Sequence, residues 1–520
     1  MVKKKLLSVV LVASTVCSML LTGCGNDAGK TESGSTDTNT STVAQTEEVV
    51  ADDVEKPEKI TIMVSGDFQA TQANGQEEWI ARWEELTGIE LEIIQPDHSS
   101  YYDVLGQTLA SGPENWPDII YVGNSYYSGY AAEGVLWDMT DAWNNSELKK
   151  NPNTDASAVE GNMIDGHLYG LPLASGGGCM TYIRKQWLDN CGLDVPTNYE
   201  EYLEMLDAFT NGDPDGDGIN GNTVAVSAAG FVNGNAPYVN YLPEFYQDAY
   251  PSFYQGEDGI WKDGFTEDSM KAAIERLQDA YSNGYIDKET LTNGTSNCRT
   301  KFYEGKFGVF TYWAGGWAET LSNGISANGL DGELVFMSPI EEVGQYWERN
   351  APVYAITSSC KNPEGVFKYF LESIFDNGDM ETLWTYGVEG VHWSRKAETV
   401  CGNTYQEGEF HMLESLSQPG IQYTTINMGD NNICPMTERL MPESEYTKES
   451  MEIFNANKKK VLIIPTTEAM SQYNGDLTTL KNSIIADCIV QGLSVEDGYK
   501  RFEQEGGAEM SQTILDSLNN

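Results

Sequence analysis

Basic residues are scarce. The 520-residue chain carries 31 Lys and Arg against 79 Asp and Glu, a formal charge of −48. A phosphate backbone demands a basic footprint, so this balance excludes nucleic-acid binding. It equally disfavours docking on anionic lipid. Histidine is nearly missing too. His98, His167, His392 and His411 lie far apart, and no HExxH sets two of them on one helix face. Neither a GxSxG nucleophile elbow nor a P-loop occurs. The many carboxylates offer too many pairs for spacing to single out a glycosidase dyad. Nothing here marks an enzyme. No CxxC occurs. After Cys24 an odd set remains: Cys179, Cys191, Cys298, Cys360, Cys401, Cys434 and Cys488. A Cys179–Cys191 disulfide is possible, but the pattern favours buried thiols over a disulfide framework.

What is present begins with a leader. Lys3, Lys4 and Lys5 precede an apolar run from Leu6 to Leu21, too short and wrongly flanked to span a bilayer. Leu21-Thr22-Gly23-Cys24 resembles the bacterial lipobox. That resemblance implies cleavage before Cys24 and a diacylglyceryl thioether on its sulfur; the alternative is an ordinary secretory cut. At about 0.8 kcal/mol per buried methylene, two chains anchor stably where one does not. The expected location is the extracytoplasmic face of a bacterial membrane, touched through the lipid alone. Residues 25–57 are rich in Ser, Thr, Asp and Glu and hold no aromatic, so they read as a disordered tether. Loss of Lys3 to Lys5 with the leader takes the formal charge from −48 to about −51, which suits a soluble monomeric body held off a surface.

The remaining 460 or so residues exceed one hydrophobic core, so at least two lobes are expected. KITIMV (59–64), IELEII (89–94) and PDIIYV (117–122) alternate as strands. EEWIARWEEL (77–86) and YYDVLGQTLAS (101–111) read as helices between them. This β-α-β-α-β order predicts an α/β fold with a parallel sheet, binding ligands at the carboxyl ends of its strands. Those ends carry Ser65-Gly66-Asp67-Phe68 and Gly123-Asn124-Ser125-Tyr126-Tyr127. Further on, Thr197 and Glu200 fit a capping box ahead of a stripe of Tyr199, Leu203 and Leu206.

GPENWPDIIYV, AAEGVLWDMTDAW and YGLPL with its following YxRKxWLxxxGLxxP resemble the family 1 extracellular solute-binding proteins of ABC importers. FYEGKFGVFTYWAGGW (302–317), WTYGVEGVHW (384–393) and the closing SIIADCIVQGLSVEDGYKRFEQEGG agree in order and spacing. The resemblance implies a two-lobed periplasmic-binding-protein-like fold: mixed, mostly parallel sheets, crossing strands as a hinge, and a cleft between the lobes. It places the crossings near 172–176, 336–339 and 354–358. Lobe 1 is then 58–174 with 338–357, and lobe 2 is 175–337 with 358–520.

The implied function is capture of a carbohydrate, an oligosaccharide, for delivery to permease subunits; a surface carbohydrate-active enzyme and a binder of another solute such as a peptide are the alternatives. Sugars present polar rims and apolar faces, so a site needs flat rings and a few fixed polar groups. Trp313 and Trp317 follow a strand in a Gly-rich turn. Trp384 and Trp393 flank Glu389, and the resemblance puts a carboxylate on Glu389 and a stacking ring on Trp393. Phe68, Tyr126 and Tyr127 are further candidates. Arg184 is a weaker candidate and reads rather as a surface or lobe-packing residue. Most of the 12 Trp, 28 Tyr and 16 Phe must be core.

NGDPDGDGINGNT (211–223) sets Asp213, Asp215 and Asp217 at alternating positions. It holds a literal GxGxxG, but follows a helix, and three aspartates would repel a pyrophosphate. Read as an EF-hand it fails at the twelfth position, which is Val224. It resembles the acidic DPxGxG calcium loop of the oligosaccharide-binding subgroup. That implies a structural Ca2+ held by Asp213, Asp215, Asp217, the Ile219 carbonyl and Asn222; Gly221 and Asn222 depart from the carboxylates of that pattern. A solvated turn is the alternative.

Overall fold

Strand alternation is realised as expected. β1 (Lys59–Met63), β2 (Glu90–Ile94) and β3 (Ile119–Val122) run parallel in the order β2-β1-β3. The computed structural model describes residues 54–520 apart from 66–67, 69, 73, 98–99, 232–241, 401, 414–431, 439 and 442–443. Cys24, the leader and nearly all of the tether therefore lie outside the described residues. Two helices make the crossovers, α1 (Gln76–Thr87) and α2 (Tyr101–Ala110). Gly88 closes α1 in the left-handed region at φ 66°, where only glycine is free of a Cβ penalty, and donates to the Glu84 carbonyl.

Successive residues of β3 serve opposite faces of the sheet. Ile119 packs with Ile60, Ile62 and the α1 residues Trp79 and Trp83, whereas Ile120 packs with Met63 and the α2 residues Tyr101 and Leu105. Two strands complete the sheet antiparallel, β4 (Leu171–Pro172) and β12 (Val353–Ile356), giving the order β2-β1-β3-β12-β4.

A second sheet has the order β10-β5-β9-β6, with β5 (Cys179–Arg184), β6 (Val224–Val226), β9 (Phe307–Trp313) and β10 (Leu334–Met337). Within these two sheets parallel pairing is confined to β1–β2, β1–β3 and β6–β9. The sheets are mixed but not mostly parallel as expected, because the crossing strands enter in reverse. The second core also takes in the closing helices Glu468–Gln491, Val495–Gln504 and Gly507–Leu518. Inside it, Lys481 Nζ lies 2.6 and 2.7 Å from the two Asp263 carboxylate oxygens, and Ser511 donates to one of them.

The crossings differ from expectation. The first runs between β4 and β5, near its expected place. The return comes about a dozen residues late, because Ile340, Val343 and Tyr346 still pack in the second core and the chain rejoins the first sheet only at Val353. Nor does the chain leave again at 354–358. Val366, Phe370, Leu383, Trp384, Ile433 and Cys434 all pack in the core of the first sheet. The described residues of 358–434 thus do not belong with the second lobe as a block; after Tyr346, Phe454 is the next described residue inside the second core. The capping box lies one residue on from its expected place: the Asn198 side chain accepts from Glu201 N–H, and Glu201 accepts from Thr197.

Cys179 and Cys191 are free thiols, as are Cys298, Cys360, Cys434 and Cys488. Cys179 opens β5 and Cys191 ends the helix that follows its far end, so the possible disulfide does not form. Among the described residues no helix is long and apolar enough to cross a membrane.

Candidate functional site

The two crossing segments bring the working ends of both sheets together. Val353 at the start of β12 faces Val122 at the carboxyl end of β3. Cys179 at the start of β5 faces Trp313 at the carboxyl end of β9. Between them Gly177 and Arg349 exchange a reciprocal pair of backbone hydrogen bonds at 2.8 and 3.1 Å. The loop after β1 is tied in by amides: Gln95 donates to the Phe68 carbonyl (2.8 Å) and Gln76 to that of Ala70 (2.8 Å).

Five of the eight solute candidates keep exposed or half-buried surface, or lie just beneath it. Tyr126, on the helix α3 (Asn124–Ala132) after β3, is 43 % exposed and stacks on Tyr102 at 3.9 Å and 7°. Tyr102 is a residue that sequence reasoning missed; its hydroxyl accepts from Gly123 N–H and fixes the turn (3.1 Å). Trp313 is half-buried, with the Arg349 guanidinium 4.5 Å from its ring. Trp317 is half-buried, edge-on to Tyr312, under Arg299 at 4.9 Å. Glu389 is exposed and bridges to Trp393, itself 8 % exposed, which donates to the Gly387 carbonyl and packs on Phe410.

The other three are core. Trp384 has no exposed surface and meets Trp79 (5.1 Å), Phe370 (5.5 Å) and Phe68 (6.1 Å) edge to face. Phe68 is buried in the same cluster. Tyr127 is buried, its hydroxyl donating to the Asn162 carbonyl and accepting from Tyr169 N–H. None of them has a face left for a solute. Arg184 is buried at the far end of β5, donating to the Phe302 and Asp331 carbonyls.

His392 ties the 386–393 block to the turn before α1. Its Nδ1 accepts from Val388 N–H at 2.8 Å, so Nε2 carries the proton and donates to the Asn74 carbonyl at 2.9 Å. Gly75 is needed beneath it, since a Cβ there would lie 2.7 Å from Nε2 and φ is 69°. Burial pushes the imidazole below its ordinary 6.5, against the Asn74 carbonyl and Glu78, which favour the charged form. The unfolded chain then takes up this proton before the folded one, so His392 stabilises fully above pH 6.5 and less on acidification. Two buried carboxyls oppose it: burial pushes Glu244 and Glu381 up to about 7, and they favour the folded state at lower pH. The His392 contribution is read by difference. Melting temperature followed from roughly pH 7 to 5 should fall more steeply in the wild type than in His392→Gln; parallel profiles would refute the latch.

Away from the crossings, the acidic loop joins the helix Tyr199–Asn211 to β6. Carboxylate oxygens of Asp213, Asp215 and Asp217 lie within 4.8 Å of one another. Gly218 N–H donates to Asp213, Ile219 N–H to Asp217 and the Asn222 amide to Asp217. Asp213 Oδ1 is shut off from solvent and has no hydrogen-bond partner. Burial, then the neighbouring aspartates, raises the Asp215 carboxyl above its ordinary value. An oxygen with no donor among crowded carboxylates suits a bound cation.

The family model for bacterial extracellular solute-binding proteins matches residues 65–370. The chain belongs to that family. It is 27 % identical over 338 residues to the polygalacturonan/rhamnogalacturonan-binding protein YtcQ of Bacillus subtilis (strain 168), covering 60 % of this chain and 62 % of that one. The chain thus aligns with rather less than two thirds of that relative's length. Among solved structures, the Streptococcus pneumoniae substrate-binding protein FusA, an EF-hand mutant in complex with fructo-nystose, superposes with a TM-score of 0.61 at 17 % identity, over 88 % of this chain and 98 % of that one. The alginate-binding protein AlgQ2 without calcium ion gives 0.62 at 18 % identity, over 89 % and 98 %. Two-lobed binding proteins therefore share this fold.

Proposed function

We propose that the protein captures an oligosaccharide between its two lobes and delivers it to the permease of an ABC importer, held at the outer membrane face by a lipid on Cys24. The observation that carries this reading is the meeting of both sheets' strand ends at paired crossing segments, with Tyr126 and Trp313 there as partly open rings. Flat rings beside fixed polar groups suit the faces and rims of sugars. The carbohydrates named for YtcQ, FusA and AlgQ2 support the same class of ligand. Closure would turn on the segments 173–178 and 349–352, with the first sheet and the residues packed in its core, Val366 to Trp384 and Ile433 to Cys434, moving as one lobe.

A melting-temperature screen of mono- and oligosaccharides, with chromatography of each hit, tests it. A saturable upward shift with unchanged sugar is expected. Product formation would mean an enzyme, and shifts only with peptides a different solute.

The same reading gives the acidic loop a structural calcium, held by Asp213, Asp215, Asp217, the Ile219 carbonyl and Asn222, pinning a helix-to-strand connection rather than touching solute. A ligand at 100 times its Kd adds about 2.7 kcal/mol to stability. Chelation should accordingly lower the melting temperature, and calcium restore it, in the wild type but not in Asp213→Ala. An unchanged melting temperature, with no metal by mass spectrometry, would leave the loop as a plain turn.

A further inference from the structure

We propose that the short segment Asp155–Gly161 is the fulcrum of lobe closure, clamping one residue from each chain crossing to the first lobe; this rests on the two-lobed closure described above. A third crossing runs beside the two at 173–178 and 349–352. The strand Lys458–Lys460 pairs in parallel with Tyr346–Glu348, where Tyr346 still packs in the second core. Ile463 then packs on the first-sheet face that holds Tyr101 and Val122, and the Thr466 hydroxyl lies 2.8 Å from that of Ser128. By Leu477 the chain is back in the second core.

All three crossings come to the same segment. Ser175 Oγ donates to Asp155 Oδ2 at 2.9 Å. Asn350 Nδ2 donates to the Gly161 carbonyl at 3.1 Å and to the Val461 carbonyl at 3.2 Å, so it ties the second crossing to the third as well. Lys460 Nζ donates to the Ser157 carbonyl at 3.1 Å and lies 3.4 Å from its hydroxyl. The segment itself is rooted in the first lobe. Ala158 and Val159 are buried in that core, and Asp155 N–H donates to the Ile433 carbonyl at 2.7 Å. Beyond the clamps the crossings are bonded to one another. Gly177 pairs with Arg349, Val461 N–H donates to the Glu348 carbonyl, and Lys458 Nζ reaches the Glu348 carboxylate at 2.8 Å. One clamp would let this ribbon swivel, and two would leave rotation about the line joining them. Three fix Ser175, Asn350 and Lys460 to the first lobe. The bend is then confined to 176–178, 347–349 and 458–459, short runs that absorb the φ/ψ change of closure. Gly176, Gly177 and Gly178 directly after the first clamp supply the residue type with the widest torsional range.

The test is the distance between the lobes in the full-length protein in detergent, without solute. Glu114 in the first lobe and Glu257 in the second are exposed, and each is replaced by p-acetylphenylalanine to carry a spin label. Dipolar electron resonance then reads the distribution of distances. Ser175→Ala with Lys460→Met should make it at least about twice as wide as in wild type, since two of the three clamps are gone. A second measurement needs neither substitution. In a background with Cys191, Cys360 and Cys401 replaced by serine, Ser157→Cys with Lys460→Cys should also widen the distribution. Joining the two new thiols with a short bifunctional reagent should return it to the wild-type width, because the link holds shut a clamp that stays shut during closure. A double variant as narrow as wild type, or a widened distribution that the link fails to narrow, would overturn the fulcrum. Either result leaves the carbohydrate reading standing, since no sugar enters the measurement.

Discussion

Asp263→Asn is expected to cost about 3–5 kcal/mol of stability, the usual penalty for leaving one member of a buried ion pair without its partner. Lys481 is the group stranded. Its ammonium sits in the second core, 4.8 Å from the Phe253 ring and 5.4 Å from that of Phe265. Burial already pushes it below the ordinary lysine value, and Asp263 is what favours its charge. Without that carboxylate the folded state would shed the lysine proton while the unfolded chain keeps it, so the variant should regain stability as pH rises. Denaturant unfolding of wild type and variant at neutral and alkaline pH checks both statements. Lys481→Met should cost less, because Asp263 still accepts from Ser511 and from Phe265 N–H. A stability loss under 1 kcal/mol in Asp263→Asn would show the pair to be dispensable.

Gly178→Ala is the second large effect, with a loss of about 3 kcal/mol expected from overpacking that side-chain rotation cannot relieve. A Cβ on Gly178 would lie 2.6 Å from Phe454 Cζ and closer still to the Trp347 carbonyl oxygen, which is backbone and cannot swing away. Its neighbour supplies the control. Nothing lies within 4 Å of a Cβ on Gly177, so Gly177→Ala should stay within about 0.5 kcal/mol of wild type. Melting temperatures of the two variants, measured side by side, test the contrast; equal values would mean the crossings are loose rather than packed backbone to backbone.

Local pattern made much of this fold legible. KITIMV, IELEII and PDIIYV became strands within two residues of their expected limits, because alternation by two is a direct consequence of one sheet having two faces. The blocks shared with the family set the two sheets in the right order. Partner choice was not legible. Trp384 and Trp393 stand nine residues apart in one motif, yet Trp384 disappears between Trp79 and Phe370 while Trp393 stays near the surface. Which apolar face meets which sheet is settled by contacts across some 300 residues, and that is also why the segment after Ile356 was expected in the wrong lobe. In TNYEE the expected cap is Thr197, and the side chain that accepts from the first turn is that of Asn198. The acidic loop was legible in residue type, whereas Arg349, in QYWERNAP, carries no signal at all until the crossings place it beside Trp313.

The core of the first sheet is stitched from segments that leave and rejoin it. Its opening strands come from the first 122 residues, β12 arrives at Val353, and Trp384, Ile433 and Cys434 fill what is left. A chain emerging amino end first, whether from a ribosome or a translocation pore, must therefore expose Trp79 and Trp83 to solvent until Phe370 and Trp384, which cover them, follow some 300 residues later. This lobe cannot complete its core until those late segments arrive, and the strong negative charge of the waiting chain helps keep such unfinished surfaces from associating.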